Sequence, residues 1–146
     1  MTKVIFLDID GVLNCRKTPN PRKFPYVIDE GLLARFTQLL QQTGASVVLS
    51  STWRYDPAGI FSAKHQGVSF IDITPDMPDE PRCKEILEWL RVHLEVTRYV
   101  VICQSALDWD PLSASKRDPF ERRVRPVALA PSELAGVAET VRARVV

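Results

Sequence analysis

Two carboxylates, Asp8 and Asp10, stand two residues apart at the end of the apolar run Val4-Ile5-Phe6-Leu7, and Gly11 follows at once. Alternation along an extended backbone puts both acids on the same side of the chain. Like charges held that close repel, and a bound cation is the natural way to keep both ionised. One ionised carboxylate can then attack phosphorus while its neighbour handles the leaving-group proton. Gly11 lets the chain turn sharply afterwards. Asp-x-Asp-Gly alone also suits a strand end with an Asx-type turn and two solvated acids. The apolar strand before it and Val12-Leu13-Asn14 after it are more than such a turn requires. Two further polar runs follow apolar ones in the same way: Ser50-Ser51-Thr52-Trp53-Arg54, and Cys103-Gln104-Ser105-Ala106-Leu107-Asp108.

The elements that must position these groups are legible as alternating strands and helices. Val4–Leu7 reads as a strand buried on both faces, as in a parallel sheet. Residues 14–28 hold Pro19, Pro21 and Pro25 with four basic residues and read as an irregular loop. Asp29 is placed to cap a helix over 30–43, with Leu32, Leu33, Phe36, Leu39 and Leu40 on one face and Gly44 at its end. Ala45–Leu49 reads as a second buried strand. Residues 55–81 are rich in Pro, Gly and Asp, with one weak apolar stretch, Val68–Ile73, as a short strand or extended segment. Pro81 suits a helix start, and Ile86, Leu87, Leu90 and Leu94 carry the helical period. Tyr99–Ile102 reads as a third strand, residues 104–123 as a long polar connection, 124–129 as a last strand and 132–145 as a closing helix with basic residues in its last turns. This order implies an α/β layered fold with a mostly parallel sheet. Ligands in such sheets bind beyond the carboxyl ends of the strands, where all three polar runs lie. No internal repeat or linker divides the chain, so residues 1–146 are expected to form a single domain.

Composition narrows the class. At 146 residues and 45% hydrophobic, the chain has enough apolar material for one full core. A formal net charge of +1 excludes a strongly basic nucleic-acid binder by composition alone. Cys15, Cys83 and Cys103 are odd in number, lack CxxC spacing and have no zinc-like His pattern, which suits reduced thiols in a cytosolic protein. Cys103 reads as a buried strand-end thiol rather than a nucleophile. The N-terminal segment is not a signal peptide, and no apolar run approaches the ~20 residues of a membrane span. The expectation is a soluble, cytoplasmic protein without a membrane partner.

VIFLDIDGVLN, residues 4–14, closely resembles the first motif of the haloacid dehalogenase-like (HAD-like) hydrolases, and VVLSSTWR, residues 47–54, resembles their second motif in a version ending Trp-Arg. The combination is similar to the small HAD domains grouped with the Swiss Army Knife RNA repair proteins. This resemblance implies a three-layer, Rossmann-like α/β domain without a cap domain. It also implies a Mg²⁺-dependent phosphohydrolase that works through an aspartyl-phosphate. By that likeness Asp8 is the nucleophile and Asp10 the general acid and base. The Asp8 carboxylate and the Asp10 backbone carbonyl would hold Mg²⁺, which takes oxygen ligands and keeps several waters. Ser51 matches the hydroxyl residue on the transferring phosphoryl group, with Ser50 and Thr52 as neighbours that fit the same role and Gly11 beside them in the phosphate-binding set. Trp53 and Arg54 belong to the subgroup's own pattern, with Arg54 either holding phosphate or bracing a loop. The family's third motif is a basic residue that neutralises phosphoryl charge. Arg82, three positions before Glu85-Ile86, is favoured for it, with Lys84 as the alternative.

The fourth motif departs from the pattern. Family members place acids after the third strand to complete the metal site. Aligned to the longer form of that motif, Gln104 replaces the first acid and Asp108 keeps the second, with Asp110 a further candidate. Gln offers a neutral carbonyl oxygen, so one negative charge is lost and weaker Mg²⁺ binding follows. The stretches 11–45 and 54–82 are too short for an independently folded lid, and an open site suits a large phosphorylated substrate such as a nucleic-acid end. Lys17, Arg22, Lys23, Lys116, Arg117, Arg122, Arg123 and Arg125 are candidates for a positive rim that phosphate polymers would favour. Two functions compete: a Mg²⁺-dependent phosphatase acting through Asp8, and a catalytically impaired domain that binds a phospho-ligand or a protein. Intact Asp8, Asp10 and Ser51 favour the first; Gln104 favours the second.

Overall fold

The strand that ends in Asp8 is the middle of the sheet, as its unbroken apolar run requires. In the computed structural model, which describes residues 2–15, 17–18, 26–103 and 128–129, β1 (Thr2–Leu7) has Val4, Ile5, Phe6 and Leu7 all at most 3% exposed. β2 (Ser46–Leu49) and β4 (Val96–Ile102) flank it, with β3 (Asp72–Ile73) beside β2 and β5 (Ala128–Leu129) beside β4. The order is β3-β2-β1-β4-β5 and every pairing is parallel. The chain thus builds outward on one side of β1, then crosses to the other. The strand order reverses between β1 and β4, and that reversal leaves a crevice at the carboxyl ends.

Helices cover both faces, giving three layers. α1 (Glu30–Thr43) begins at Asp29, whose side chain accepts from Leu32 N, and stops at Gly44, whose φ of 63° is the left-handed conformation glycine adopts without cost. Its Phe36 and Leu39 pack with Ile5, Leu7, Val47, Leu49, Val100 and Ile102 on one face of the sheet. α3 (Arg82–Val92) covers the other, where Cys83, Ile86, Trp89 and Leu90 meet Val4, Phe6, Val48, Tyr99 and Val101. Phe6 sits edge-on to both Trp89 and Tyr99, with centroids 5.5 and 5.7 Å away. Neighbouring residues of β1 therefore serve opposite layers, which is why Val4–Leu7 is apolar without a break.

Several boundaries differ from the sequence reading. A 3-10 turn, Thr52–Tyr55, and then α2 (Pro57–His65) occupy the first part of the Pro/Gly/Asp-rich stretch, where no helix is expected from periodicity. α2 has no apolar stripe; it buries Gly59, Ser62 and Ala63, small residues that let it lie close on Trp53. A Cβ on Gly59 would stand 2.4 Å from the Trp53 carbonyl oxygen. The extended stretch 68–73 narrows to the two residues of β3. Leu94 lies beyond the end of α3 and is 70% exposed, so it is not part of that helix's apolar face. β4 begins at Val96, three residues before the apolar run that signals it. Of the expected last strand, Ala128–Leu129 is described; the closing helix over 132–145 lies outside the described residues. No helix among the described residues is long and apolar enough to cross a membrane. Neither the stretch from Gly11 to Ala45 nor that from Arg54 to Arg82 contains an inserted cap domain among the described residues.

Candidate active site

The sheet's hydrogen bonds continue one residue past the strands and line up their ends. Asp8 N donates to Ile102 O (2.9 Å), Ser50 N to Leu7 O (2.9 Å) and Thr74 N to Leu49 O (3.0 Å). Asp8, Ser50 and Thr74 are therefore successive residues across the carboxyl edge. Phe6 and Val48 face α3, and strand alternation carries Asp8 and Ser50 to that same face. Asp72 accepts from Trp89 Nε1 of α3 at 2.7 Å, so Thr74 follows on that face too. The hydroxyls of Ser50 and Thr74 are buried and have no hydrogen-bond partner among the described residues.

Asp8 is 6% exposed. One carboxylate oxygen accepts from Ile9 N (2.9 Å), and the other from Arg82 Nη1 (2.7 Å), the first residue of α3. Burial pushes the Asp8 carboxyl above the usual carboxylate range, the Arg82 guanidinium opposes that, and the charge of Asp10 adds to it. Asp10 is thus near enough to be felt by its neighbour. Lys84 does not reach this place: it is exposed and pairs with Glu80 at 2.6 Å, one turn away on the surface. Of the two basic residues offered by the sequence, Arg82 is the one at Asp8.

A tight turn holds Asp10. Val12 N and Leu13 N both donate to Ile9 O, and Gly11 takes a φ of 77° that a side chain would strain. Asn14 latches the turn, accepting from Gly11 N through Oδ1 (2.9 Å) and donating to Asp10 Oδ1 through Nδ2 (2.9 Å). Trp53 Nε1 donates to the same Asp10 oxygen at 3.1 Å, and its ring rests edge-on against Tyr26. Sequence reasoning gave Asn14 and Trp53 no role at Asp10, although each stands inside a quoted motif.

The polar run after β2 separates into distinct roles. Ser51 Oγ accepts from Trp53 N (3.2 Å) and so caps the 3-10 turn, while Thr52 is exposed. The hydroxyl that sheet register brings level with Asp8 belongs to Ser50 rather than Ser51. Arg54 turns inward. Its five N–H groups reach the carbonyls of Ser50 (2.8 Å), Ser51 (2.9 Å) and Thr74 (3.2 Å), the Tyr55 hydroxyl (2.6 Å) and the Glu85 carboxylate. Those are the bonds of a brace, and all five donors are taken within the fold.

Oxygen donors dominate the site, as a hard cation such as Mg²⁺ prefers, and that ion commonly uses one or two protein carboxylates with waters and substrate phosphate. The Asp8 carboxylate and the Asp10 backbone carbonyl are oxygen donors of that kind, and the repulsion between the two acids is what a divalent ion would relieve. No group of three or more His, Cys, Asp or Glu side chains placed to hold a metal occurs among the described residues. Gln104, Asp108 and Asp110 lie outside the described residues, as do Arg22, Lys23, Lys116, Arg117, Arg122, Arg123 and Arg125 of the expected rim. Cys103 directly follows β4 and is 2% exposed.

Residues 4–124 match the family model described as the HAD domain in Swiss Army Knife RNA repair proteins. No curated protein and no solved structure matches the chain. With the motifs in order on an open parallel sheet and most of its length covered by that match, the chain belongs to the HAD-like hydrolase superfamily, in the family of HAD domains of Swiss Army Knife RNA repair proteins.

Proposed function

We propose that the chain, as one domain spanning residues 1–146, is a Mg²⁺-dependent phosphatase that uses Asp8 as its nucleophile. The observation that carries this reading is a buried carboxylate at the end of the central strand, faced by Arg82 and flanked by Asp10. Asp8 attacks phosphorus, a new P–O bond forms to its carboxylate and the bond to the leaving group breaks. Asp10 delivers the proton to the departing oxygen. Water then attacks the aspartyl-phosphate, gives its proton to Asp10 and frees Asp8 with release of phosphate. Arg82 neutralises charge on the transferring group, and the Ser50 hydroxyl, in register with Asp8, is the donor proposed for a phosphoryl oxygen. Bound Mg²⁺ would supply charge neutralisation at the phosphoryl oxygens, held by the Asp8 carboxylate and the Asp10 carbonyl, with Gln104 and Asp108 as further donors.

The absence of an inserted cap among the described residues supports a large substrate, and the family's description supports a phosphorylated RNA end. A reduced, cytoplasmic setting is proposed with it, on the odd number of cysteines. A specific feature favours the second reading, an impaired domain that binds a phospho-ligand: the neutral Gln104 where the family's fourth motif implies an acid. Phosphate release from an aryl phosphate and from 5′- and 3′-phosphorylated oligonucleotides, with and without Mg²⁺, separates the two. The phosphatase reading expects metal-dependent release that is lost in Asp8→Asn. No release across that panel would leave the binding module, and a large gain of rate in Gln104→Asp would show that the native metal site limits turnover.

A further inference from the structure

Arg54 and Glu85 form an ion pair whose side chains are 2% and 5% exposed, and neither contacts Asp8. A buried pair of this kind is weak evidence for stability, because desolvation offsets most of its attraction. What it supplies is direction. The guanidinium is a rigid fork of five donors, and here each donor ends on a different group. Three are backbone carbonyls at the carboxyl ends of β2 and β3, those of Ser50, Ser51 and Thr74. The Glu85 end belongs to the first turn of α3. That helix opens on Pro81 without a side-chain cap bond, and Glu85 instead accepts from Met77 N (3.1 Å) and from the Tyr55 hydroxyl (3.1 Å). Glu85 is three residues after Arg82, so the two share a helix face. The pair therefore joins the strand ends that carry Ser50 and Thr74 to the helix turn that carries Arg82.

We propose that the buried Arg54–Glu85 pair is a positioning device, which fixes the first turn of α3 against the strand ends and so aims Arg82 at Asp8. Tyr55, whose hydroxyl touches both partners and whose ring lies 4.2 Å under the Arg54 guanidinium, locks the pair on its solvent side. The inference rests on the phosphatase reading for its kinetic readout alone.

Two variants test it. Glu85→Gln removes the charge at nearly constant shape, and Tyr55→Phe removes one hydroxyl from a residue 48% exposed, which the fold tolerates even where Glu85→Gln does not. Arg82 is followed directly through the ¹⁵Nε–¹Hε resonance of its guanidinium, which needs no turnover. The expected result is a shift of that resonance toward solvent-exposed arginine in either folded variant. With it goes a fall in kcat on the order of ten- to hundredfold for Glu85→Gln and roughly two- to fivefold for Tyr55→Phe. In an Arg82→Ala background those falls should vanish, because the pair acts through Arg82. An unmoved Arg82 resonance, or losses that simply add to that of Arg82→Ala, overturns the proposal. A wild type without phosphatase activity removes the kinetic arm with the reading it belongs to, and the resonance then decides by itself.

Discussion

Burial and Arg82 act on the Asp8 carboxylate in opposite directions, and burial is the larger effect, so the group is held above the usual carboxylate range. An ionised Asp8 is thus a cost to the metal-free fold, of the kind that functional sites carry against stability. Replacing it with Asn removes that cost, and Arg82, whose side chain is 22% exposed, can turn to water. Metal-free Asp8→Asn is expected to melt above the wild type; a lower Tm would mean that the ion pair outweighs desolvation. Arg82 and Lys84, two positions apart and alike in charge, are expected to differ sharply. Arg82→Ala should lower kcat on the order of 10²- to 10³-fold, as loss of a positioned donor does. Lys84→Ala, which breaks a surface pair, should stay within about twofold of wild type. The sequence narrowed the basic residue to these two and favoured Arg82 by its spacing from Glu85-Ile86, but helix phase decides which one meets the sheet edge. Ser50 and Ser51 show the same limit. Either fits a strand-end hydroxyl by type, and only the register with β1 distinguishes the one beside Asp8 from the one that caps Trp53.

At the level of elements, what the sequence disclosed were those with a period or a cap. α1 runs from Glu30 to Thr43 between the Asp29 cap and Gly44, as read from residue types, because both signals act locally. α2 was hidden because its buried face is made of small residues, and its start signal is an ordinary Asp-Pro pair in a Pro-rich stretch. Two measurements bear on it. Gly59→Ala forces a Cβ against the Trp53 carbonyl and should destabilise by about 1–3 kcal/mol, read by urea unfolding, although Ala is the better helix former. Asp56 caps α2 by accepting from Ala58 N (2.9 Å), and also accepts from the Tyr26 hydroxyl (2.7 Å). The Tyr26 hydroxyl first, then the helix amide, hold the Asp56 carboxyl below its ordinary value of 3.8. A carboxyl depressed in the fold binds protons less tightly there than in the unfolded chain. Its contribution is therefore complete above pH 3.8 and is lost as pH falls through the folded value. Asp56→Ala should lower Tm at neutral pH, with the gap to wild type closing in strong acid; a gap independent of pH would remove the charge from the explanation.

For the molecule as a whole, a mostly parallel sheet was foreseeable from alternating apolar runs, since the runs of β1 and β2 are buried and need no partner-specific signal, whereas the strand order and its reversal between β1 and β4 were not read from the sequence. The contacts that bind the site together were not. Trp53 to Asp10, Arg82 to Asp8 and Arg54 to Glu85 span 43, 74 and 31 residues, and no local pattern encodes such pairings. The metal is the remaining link between fold and function. If Mg²⁺ binds the folded chain alone, wild-type stability should rise by about 2.7 kcal/mol at a hundredfold excess over Kd, while Asp8→Asn should gain little. The most direct measurement is an acid-quenched single turnover with a phosphoryl-labelled substrate and Mg²⁺, followed by peptide mapping. Hydroxylamine-labile label on the peptide that carries Asp8, absent from Asp8→Asn, is the expected result. Phosphate release with no label on that peptide at any quench time, or label on another residue, would contradict Asp8 as the nucleophile.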